Sequence, residues 1–420
     1  MMTVPLLSLL ACTAPELGMI PGASPLWDPE ALPVFEITVP QDDWLDVLWA
    51  DAEATGQCGD NVYQRASVRF HNPATGEVEA FEDVGLRLRG NASLEAARDG
   101  GEQPGLKLSF SEFEEDRDLH GTEKFALLGT EGDFTYVREH LALSIAREAG
   151  LPAPNNAFSL VYVNGAFHGL MPYTEEPDDR RYVENHFLGV DGSLYKASGY
   201  CGTGTSSDLT WVSDDIDDYI YDYVPKAGTD EAAVADDLIP MLDCATNTTD
   251  EQFSACVQDW VDLDGLLTLI ALDQLLPDVD GLVGPSHNYM MFFDQGWDRF
   301  YFYPWDKDQS FYDHELAPGS TPMDMVLVYD DEKKPLLVSR VQRVFHEEYC
   351  DALRGMHARL DPAVLTPRVE SLGQFLWYAV DADPRYDMVD WKYGVQALID
   401  KNHDRWWVDE DALEAACGAR

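Results

Sequence analysis

Residues 278–308 read DVDGLVGPSHNYMMFFDQGWDRFYFYPWDKD and decide the fold that we predict for the chain. An apolar helical run, Leu266–Leu276, leads into an acidic loop that contains glycine. Tyr289–Phe293 and Phe300–Tyr303 then predict a β-hairpin with its turn at Asp294–Gly296. Carboxylates and an amide therefore stand at the ends of rigid elements, where proteins often hold divalent cations and phosphates. An acidic loop is also common on a solvated surface, so the stretch alone leaves both interpretations open.

The bulk composition narrows the class of protein. The chain has 420 residues, which suggests one elaborated domain or two lobes. Its 45% hydrophobic and 11% aromatic content excludes a chain that is disordered throughout. The 77 acidic and 28 basic residues give a formal charge of −49, which excludes a protein that binds nucleic acid mainly through its phosphates. This charge suits divalent cations, basic peptide substrates, or solubility in a saline or exported environment.

The N-terminal segment resembles a bacterial lipoprotein signal. Residues 1–12 form a short apolar run ending in Leu-Leu-Ala-Cys, and in such signals the cysteine, here Cys12, is lipidated after cleavage. The run lacks preceding basic residues, which a start site assigned too far downstream would explain. Residues 13–32 are predicted to be a tether. No other segment approaches the ~20 apolar residues of a membrane span, so we expect an exported lipoprotein of the cell envelope that contacts the membrane only through this anchor.

The cysteine count supports export to an oxidising compartment. With Cys12 assigned to a lipid, six of the seven cysteines remain, an even number that suits three disulfides. Cys244–Cys256 flanks a polar loop and is the most natural pair. Cys350–Cys417 would join two C-terminal helices, and Cys58–Cys201 follows by elimination. Six free thiols in a cytosolic protein are the alternative, and no spacing is typical of a zinc site.

Residues 33–197 are predicted to form a sheet-rich N-terminal lobe and residues 198–420 a helix-rich C-terminal lobe. Alternating polarity and turn residues predict strands at Val34–Val39, Val62–Asn72, Val78–Leu88, Leu106–Phe110, Phe158–Val163, Phe167–Tyr173 and Ser193–Lys196. Helical periodicity predicts helices at Asp42–Ala54, Thr135–Ala149, Arg181–Phe187, Lys334–Leu360 and Pro362–Leu413.

Residues 198–256 change in character. They contain glycine and threonine repeats, an aspartate-rich run at 214–222 and two cysteines. This composition predicts an insertion or the boundary of a helical subdomain rather than a catalytic segment. The carboxylates could bind Ca²⁺, although the spacing of an EF-hand loop is absent.

Basic residues in a lysine-poor chain are candidates for phosphate binding. Alternation places Arg87 and Arg89 on one face at the end of the third predicted strand, where two guanidinium groups could grip a phosphate. A salt-bridged face is an equally common use of such a pair. Lys107 lies in the next strand. Glu139, in the following helix, could pair with Lys107, with Arg138, or with no partner.

The chain resembles the spore coat protein H (CotH) kinase-like family over roughly residues 34–360. The family's motifs occur here in order, and they are Gly85-Leu-Arg-Leu-Arg-Gly-Asn-Ala-Ser93, Lys107-Leu-Ser-Phe110, Val137-Arg-Glu139, Tyr162-Val-Asn-Gly165 with Gly169, Tyr173 and Glu175, Leu194-Tyr-Lys196, Asp280, Asn288-Tyr289, Pro304-Trp-Asp-x-Asp308 and Pro335-Leu-Leu337. The chain departs from the family in having Ala92 in place of a serine. The loop of Asp280 is also slightly longer and carries His287 where an asparagine is common.

The resemblance implies an α+β, two-lobed atypical protein-kinase-like fold. Its N-terminal lobe would be an antiparallel sheet with one helix, and its C-terminal lobe would be rich in helices. The resemblance also implies phosphorylation of protein serine or threonine with ATP and Mg²⁺ or Mn²⁺. Lys107 would pair with the nucleotide phosphates and Glu139 with Lys107, and Arg87 and Arg89 would be further nucleotide contacts.

The resemblance also assigns roles in the central stretch. Asp280 would be the catalytic base, with Asp278 its nearest competitor because of the longer loop. Asp306 would bind the metal, and Asn288 and Asp308 would be secondary metal ligands.

Two functions from different classes follow. The first is a kinase acting on a protein substrate, which would be basic or serine-rich. The second is a non-catalytic, kinase-like protein of the cell envelope that mediates binding or adhesion, with Ca²⁺ as a candidate ligand. Asp280 and Asp306 favour the first, because a pure binding protein has no need of them. The lipoprotein-like signal favours the second, because ATP is scarce outside the cytoplasm.

Overall fold

The computed structural model describes residues 25–55, 62–90, 92–100, 103–129, 133–198, 207–311, 335–383 and 387–418. The expected signal segment with Cys12 and the expected Cys58–Cys201 disulfide lie outside these residues. None of the helices in the described ranges combines the length and apolarity needed to cross a membrane.

Most of the predicted strands and helices are present near their expected bounds, but the predicted helices 334–360 and 362–413 each comprise two helices in the described residues. The strands of the described residues are β1 Val34–Thr38, β2 Gln64–His71, β3 Val78–Arg89, β4 Gly105–Ser109, β5 Lys124–Leu127, β6 Asn156–Val163, β7 Ala166–Glu175, β8 Gly192–Ala197, β9 Tyr223–Lys226, β10 Tyr289–Asp294 and β11 Arg299–Pro304. The α-helices are α1 Trp44–Thr55, α2 Ala92–Gly100, α3 Arg138–Glu148, α4 Arg180–His186, α5 Ile239–Asn247, α6 Asp250–Trp260, α7 Leu263–Leu275, α8 Leu336–Val344, α9 His346–Arg359, α10 Pro362–Asp381 and α11 Met388–Cys417.

The N-terminal strands form a closed barrel, which corrects the expected antiparallel sheet. The strand order is β1-β2-β3-β4-β5-β7-β6, and β1 closes the barrel by running parallel to β6. Asn164 at the tip of the β6–β7 hairpin secures this closure, because its Oδ1 accepts a hydrogen bond from Val39 N at 2.8 Å and its own N–H donates to the carbonyl of Ile37 at 2.9 Å. The polar edge of β1 is thereby satisfied within the barrel.

Aromatic side chains fill the barrel. Phe35, Phe125 and Tyr173 belong to the barrel core and are fully buried. Trp27 stacks on Tyr173 at 5.0 Å and on Phe125 at 5.7 Å between ring centroids. The end of the predicted tether, Pro25–Trp27, is therefore part of the barrel core, because its tryptophan covers apolar rings that would otherwise face water.

A second, four-stranded sheet has the order β11-β10-β8-β9. The hairpin expected from the central stretch is present as β10 and β11. Strand β8, which the sequence placed in the N-terminal lobe, pairs antiparallel with β10, so that Lys196 lies opposite Met290. The barrel is linked to this sheet by the acidic connection after β7 and by α4.

Helices α3, α8 and α9 pack against α7, whose residues Leu266–Leu275 are nearly all buried in one large apolar core. Helices α5 and α6 contribute Leu242 and Phe253 to that core. The described part of the expected insertion, residues 207–256, is thus integral to the fold, because its apolar residues bury against α7 and its neighbours.

Two of the expected disulfides are present. Cys244–Cys256 joins α5 to α6 across 12 residues, and Cys350–Cys417 joins α9 to the end of α11 across 67 residues. Each bond constrains the unfolded chain, an effect typically worth about 2–4 kcal/mol. Because disulfides persist in oxidising compartments, these bonds suggest an exported protein.

Candidate active-site cleft

A cleft opens between the barrel, α3 and the loop after β11. It holds about 50 Å³ of space for water-sized groups, and it opens to solvent. Its polar lining includes Arg89 at the end of β3, Glu139 in α3, and Asp306 and Asp308 after β11. Candidate residues from three distant parts of the sequence therefore meet at one place.

Asp306 is held in its ionised form by Arg89. It occupies a sharp turn after Trp305, with a φ of 54°, and its Oδ1 accepts a hydrogen bond from Arg89 Nη2 at 3.2 Å. Arg89 Nε lies 3.3 Å from Glu176 Oε1, which fixes the guanidinium from its other side. Desolvation in the cleft would raise the pKa of Asp306, but Arg89, and then Lys196, outweigh it and keep that pKa below its ordinary value.

Two further carboxyl groups in the cleft are less well neutralised. Glu139 is 2% exposed, and its Oε2 has no hydrogen-bond partner among the described residues. Burial, and then the charge of Asp306, raise the pKa of Glu139 well above its ordinary value. Burial and Asp306 raise the pKa of Asp308 in the same way, although Arg138 opposes them. The cleft therefore favours the arrival of a cation.

Lys107 does not pair with Glu139, which corrects the expectation from the sequence. Its Nζ lies 2.8 Å from Glu176 Oε2 and 3.1 Å from Asp178 Oδ2. No ion pair joins it to Glu139 within the described ranges. Lys124 adds a contact of 3.3 Å to Asp178. The acidic connection that follows β7 passes over the outward face of β4 and β5. Its carboxylates, rather than Glu139 of α3, therefore contact both lysines.

The expected arginine pair is divided between two environments. Arg87 and Arg89 do share the outward face of β3, while Leu86 and Leu88 point into the barrel. Of the two arginines, Arg89 lines the cleft. Arg87 donates to the carbonyl of Leu88 at 2.8 Å, and its guanidinium lies 5.2 Å from the centre of the Tyr63 ring. Arg87 thus has a packing role in this structure.

Lys196 is a site candidate to which the sequence assigned no role. Its Nζ lies 5.6 Å from the centre of the Trp305 ring, and its charge lowers the pKa of Asp306. In the part of the chain that the structure describes, no hydrogen bond or ion pair holds this ammonium group. Burial lowers the pKa of Lys196 to about 8, and Glu176 and Asp178 offset only part of that shift. The scarcity of lysine, nine residues in the chain, was the signal that could have marked it.

Asp280 lies beside the cleft and is oriented by Asn288. Its Oδ2 accepts a hydrogen bond from Asn288 Nδ2 at 2.8 Å and lies 3.5 Å from His287 Nδ1. The carboxylate side chain is 35% exposed, so an incoming group can reach it. The carbonyl of Asn288 accepts from the N–H of Trp305 at 3.1 Å. This backbone bond connects the loop of Asp280 to the turn of Asp306.

Asp278, the other candidate for the catalytic base, is held in a buried ion pair. Its Oδ2 lies 2.6 Å from Lys307 Nζ, and Asp273 Oδ1 lies 2.8 Å from the same atom. All three side chains are almost inaccessible, with exposures of 0–1%. This ion pair joins α7, the acidic loop and the end of the hairpin, so Asp280 is the more accessible of the two aspartates.

The donor set of the cleft fits a divalent cation in type. Mg²⁺ prefers carboxylate oxygens, and Asp306, Asp308 and the unpartnered oxygen of Glu139 supply them. Among the described residues, no three His, Cys, Asp or Glu side chains converge closely enough to hold a metal ion by themselves. This arrangement agrees with Mg²⁺ sites that use one or two carboxylates and complete the coordination with substrate phosphates.

The comparison with known proteins agrees with the resemblance seen in the sequence. A family model described as CotH kinase protein matches residues 86–392, which is most of the chain. The match runs from β3 into α11 and includes Arg89, Asp280 and Asp306. No curated protein matches the chain. The chain therefore belongs to the CotH kinase protein family.

Proposed function

We propose that this chain transfers the γ-phosphate of ATP to serine or threonine hydroxyl groups of a protein, with a divalent cation. The observation that carries the proposal is the cleft in which Arg89 holds ionised Asp306 beside Glu139 and Asp308. Family membership supports kinase-like activity in general. Phosphoryl transfer needs mainly positioning and charge stabilisation, and this cleft offers both.

In the proposed reaction the substrate hydroxyl oxygen forms a bond to the γ-phosphorus. The bond between that phosphorus and the β–γ bridging oxygen breaks, and ADP leaves. The hydroxyl proton passes to the carboxylate of Asp280, which the Asn288 amide orients and which is accessible to the substrate.

Asp306 would hold the cation, with Asp308 and Asn288 as further ligands. When bound, the cation would neutralise charge on the nucleotide phosphates. Arg89 keeps Asp306 ionised and in place. Lys196 has no anionic partner of its own among the described residues and is free to meet a phosphate oxygen, so Arg89 and Lys196 would supply the positive charge first assigned to Lys107.

A basic or serine-rich protein is the substrate class that the charge supports. The formal charge of −49 attracts cationic segments and raises their encounter rate at low ionic strength. The same charge argues against a nucleic-acid substrate.

The test is the intact mass of the full chain after incubation with ATP and Mg²⁺ or Mn²⁺, with casein or a basic serine-rich peptide added. Each transferred phosphate adds ~80 Da to the acceptor. We expect this gain for the wild type and its loss in both Asp280→Asn and Asp306→Asn. Asp298→Asn is the matched control, because Asp298 lies exposed in the turn of the same hairpin. Transfer that persists in both site variants would refute the assignment of the site.

The non-catalytic envelope function is the second candidate. The two disulfides favour it, because they suggest an oxidising environment, where ATP is scarce. If no acceptor gains a phosphate and ATP does not raise the melting temperature, the catalytic proposal fails. A melting-temperature increase with Ca²⁺ alone would then support the second candidate.

A further inference from the structure

The cleft is lined by a polar side chain that the proposed chemistry does not use. Gln103 lines the cleft and is 4% exposed. Neither its Oε1 nor its Nε2 has a hydrogen-bond partner among the described residues. A buried carboxamide that lacks all of its partners is costly and uncommon, so such a group calls for a ligand that supplies them.

The backbone around Gln103 is held by close packing. A Cβ atom at Gly129 would lie 2.4 Å from the carbonyl oxygen of Gln103 and 2.9 Å from Gly105 N. Glycine at position 129 therefore lets the segment before β4 lie directly against the residues after β5. The backbone of Gln103 is therefore packed closely against Gly129.

The lining of the cleft combines apolar and charged side chains. Leu128, Pro172 and Tyr136 line the cleft and are buried. The carboxyl groups and Arg89 lie among the other lining residues. A ligand that fills the cleft would need a charged part for Arg89 and the cation, and a flat apolar part with a polar edge for Gln103.

We infer that Gln103 recognises the adenine base of the nucleotide. Its Oε1 accepts a hydrogen bond from the exocyclic amino group, and its Nε2 donates to the ring nitrogen beside that group. A glutamine carboxamide and this edge of adenine are complementary in donor and acceptor order. The inference rests on the proposed function, and it makes Gln103 the residue that selects the nucleobase.

The test is isothermal titration calorimetry of the full chain in the presence of Mg²⁺. The ligands are ATP, purine riboside triphosphate, which lacks only the amino group, and inorganic tripolyphosphate, which lacks the nucleoside. We expect the wild type to bind ATP about 10- to 100-fold more tightly than the analogue without the amino group, because loss of that group leaves Oε1 buried and unpaired. Gln103→Met should bind both nucleotides with similar affinity.

Gln103→Met replaces an unpartnered amide with an apolar side chain of similar size, so its melting temperature without ligand should not fall. Its affinity for tripolyphosphate should equal that of the wild type, which shows that the phosphate end is intact. Gln103→Asn, whose amide is one methylene shorter, is the second variant and should lose most of the preference for the amino group.

The outcomes separate the two proposals. If Gln103→Met and Gln103→Asn keep the wild-type preference for ATP over the analogue, Gln103 does not read the base, and the kinase proposal stands without it. If the wild type binds tripolyphosphate and both nucleotides equally, the base is not recognised and the inference is overturned. If the wild type binds none of the three ligands, both the proposed function and the inference fail.

Discussion

Two acidic clusters share the segment that follows β11, and they differ in how their charge is balanced. The Lys307 cluster consists of Asp273, Asp278 and Lys307, and its ammonium contacts both carboxylates at 2.6–2.8 Å. The cleft cluster consists of Glu139, Asp306 and Asp308. There Arg89 contacts one of the three carboxylates, Asp306, at 3.2 Å.

The difference separates a structural cluster from a candidate functional one. Burial would lower the pKa of Lys307, but Asp273 and Asp278 raise it, so the buried cation is retained. In the cleft cluster, burial and Asp306 raise the pKa of both Glu139 and Asp308. Acidity alone therefore does not mark the site. Carboxyl groups whose charge no neighbouring cation balances do mark a candidate functional site.

Removing the cation of the Lys307 cluster should have the largest effect. Lys307→Met would leave two carboxylates buried without their partner, and breaking a buried ion pair in this way costs about 3–5 kcal/mol. We expect a loss of that size in the free energy of unfolding, measured by urea denaturation. The matched variant Lys196→Met removes a cation without an ion pair in the described residues and should change the free energy by less than about 1 kcal/mol. Equal losses in the two variants would contradict the comparison.

Adding a cation to the cleft cluster should have the next largest effect. Mg²⁺ at one hundred times its Kd should raise the free energy of unfolding by about 2.7 kcal/mol. Asp306→Asn should abolish this gain, while Asp298→Asn should retain it. Glu139→Gln should be more stable than the wild type without metal, because it removes a buried carboxyl group. Thermal melting with and without MgCl₂ measures these changes, and a gain that survives in Asp306→Asn would place the cation elsewhere.

The pH dependence of anion binding should report on the unpaired lysine beside the cleft. Lys196 has a pKa of about 8, so it loses its charge as the pH rises through that value. The charged groups that act on it include Glu176, Asp178, Lys107 and Lys226, and Asp306. We expect the Kd for tripolyphosphate to rise about three- to tenfold from pH 7.5 to pH 9, since only about a tenth of the ammonium remains protonated at pH 9. Lys196→Arg should flatten this profile, and an unchanged profile would exclude Lys196 from the phosphate site.

The adjacent residues Asp178 and Asp179 differ in the same way as the two clusters, because cations of the described residues balance the charge of the first carboxylate and not of the second. Asp178 is paired with Lys107 and Lys124, and these cations hold its pKa well below the ordinary value against burial. Asp179 caps α4 by accepting from the N–H of Tyr182 and has no ion pair in the described ranges. Burial, and then Asp178, raise the pKa of Asp179 to about 7.

Asp179 should therefore weaken the fold as the pH rises. Because its folded pKa lies above the unfolded value, its stabilising contribution is complete below about pH 4 and is lost by about pH 7. Asp179→Asn keeps the cap and removes the charge, so it should raise the free energy of unfolding by up to about 4 kcal/mol at pH 8 and have little effect at pH 4. Denaturation at the two pH values measures the difference, and an equal effect at both would refute the assignment.

The elements could be predicted from the sequence where their signals were local. Periodicity predicted α7 and the hairpin of β10 and β11, and alternation predicted the two strands that pair as β6 and β7. Strand β5 was missed because its four residues, Lys124–Leu127, are too few to show alternation. The pairing of β1 with β6 was missed because it joins segments far apart in the chain.

The candidate site could also be predicted only in part, because some of its contacts join segments that are far apart in the chain. Resemblance placed Asp280 and Asp306 in the active site, and those two assignments stay predictions. The partners of Lys107 depend on the path of the acidic connection over the barrel, which no local pattern shows. Gln103 carried no signal at all, because a single glutamine is ordinary in sequence and becomes informative only when its burial and missing partners are known.

The closed barrel also sets an order in which the chain can fold. Val39 and Asn164, whose hydrogen bond helps to close it, are 125 residues apart. Bringing such distant segments together costs chain entropy before any contact repays it, so closure is expected to be a late event. Since synthesis begins at the N-terminus, the edge of β1 that pairs with β6 is exposed to other chains until β6 has been made. The strong negative charge acts against aggregation during that interval, because like-charged nascent chains repel one another.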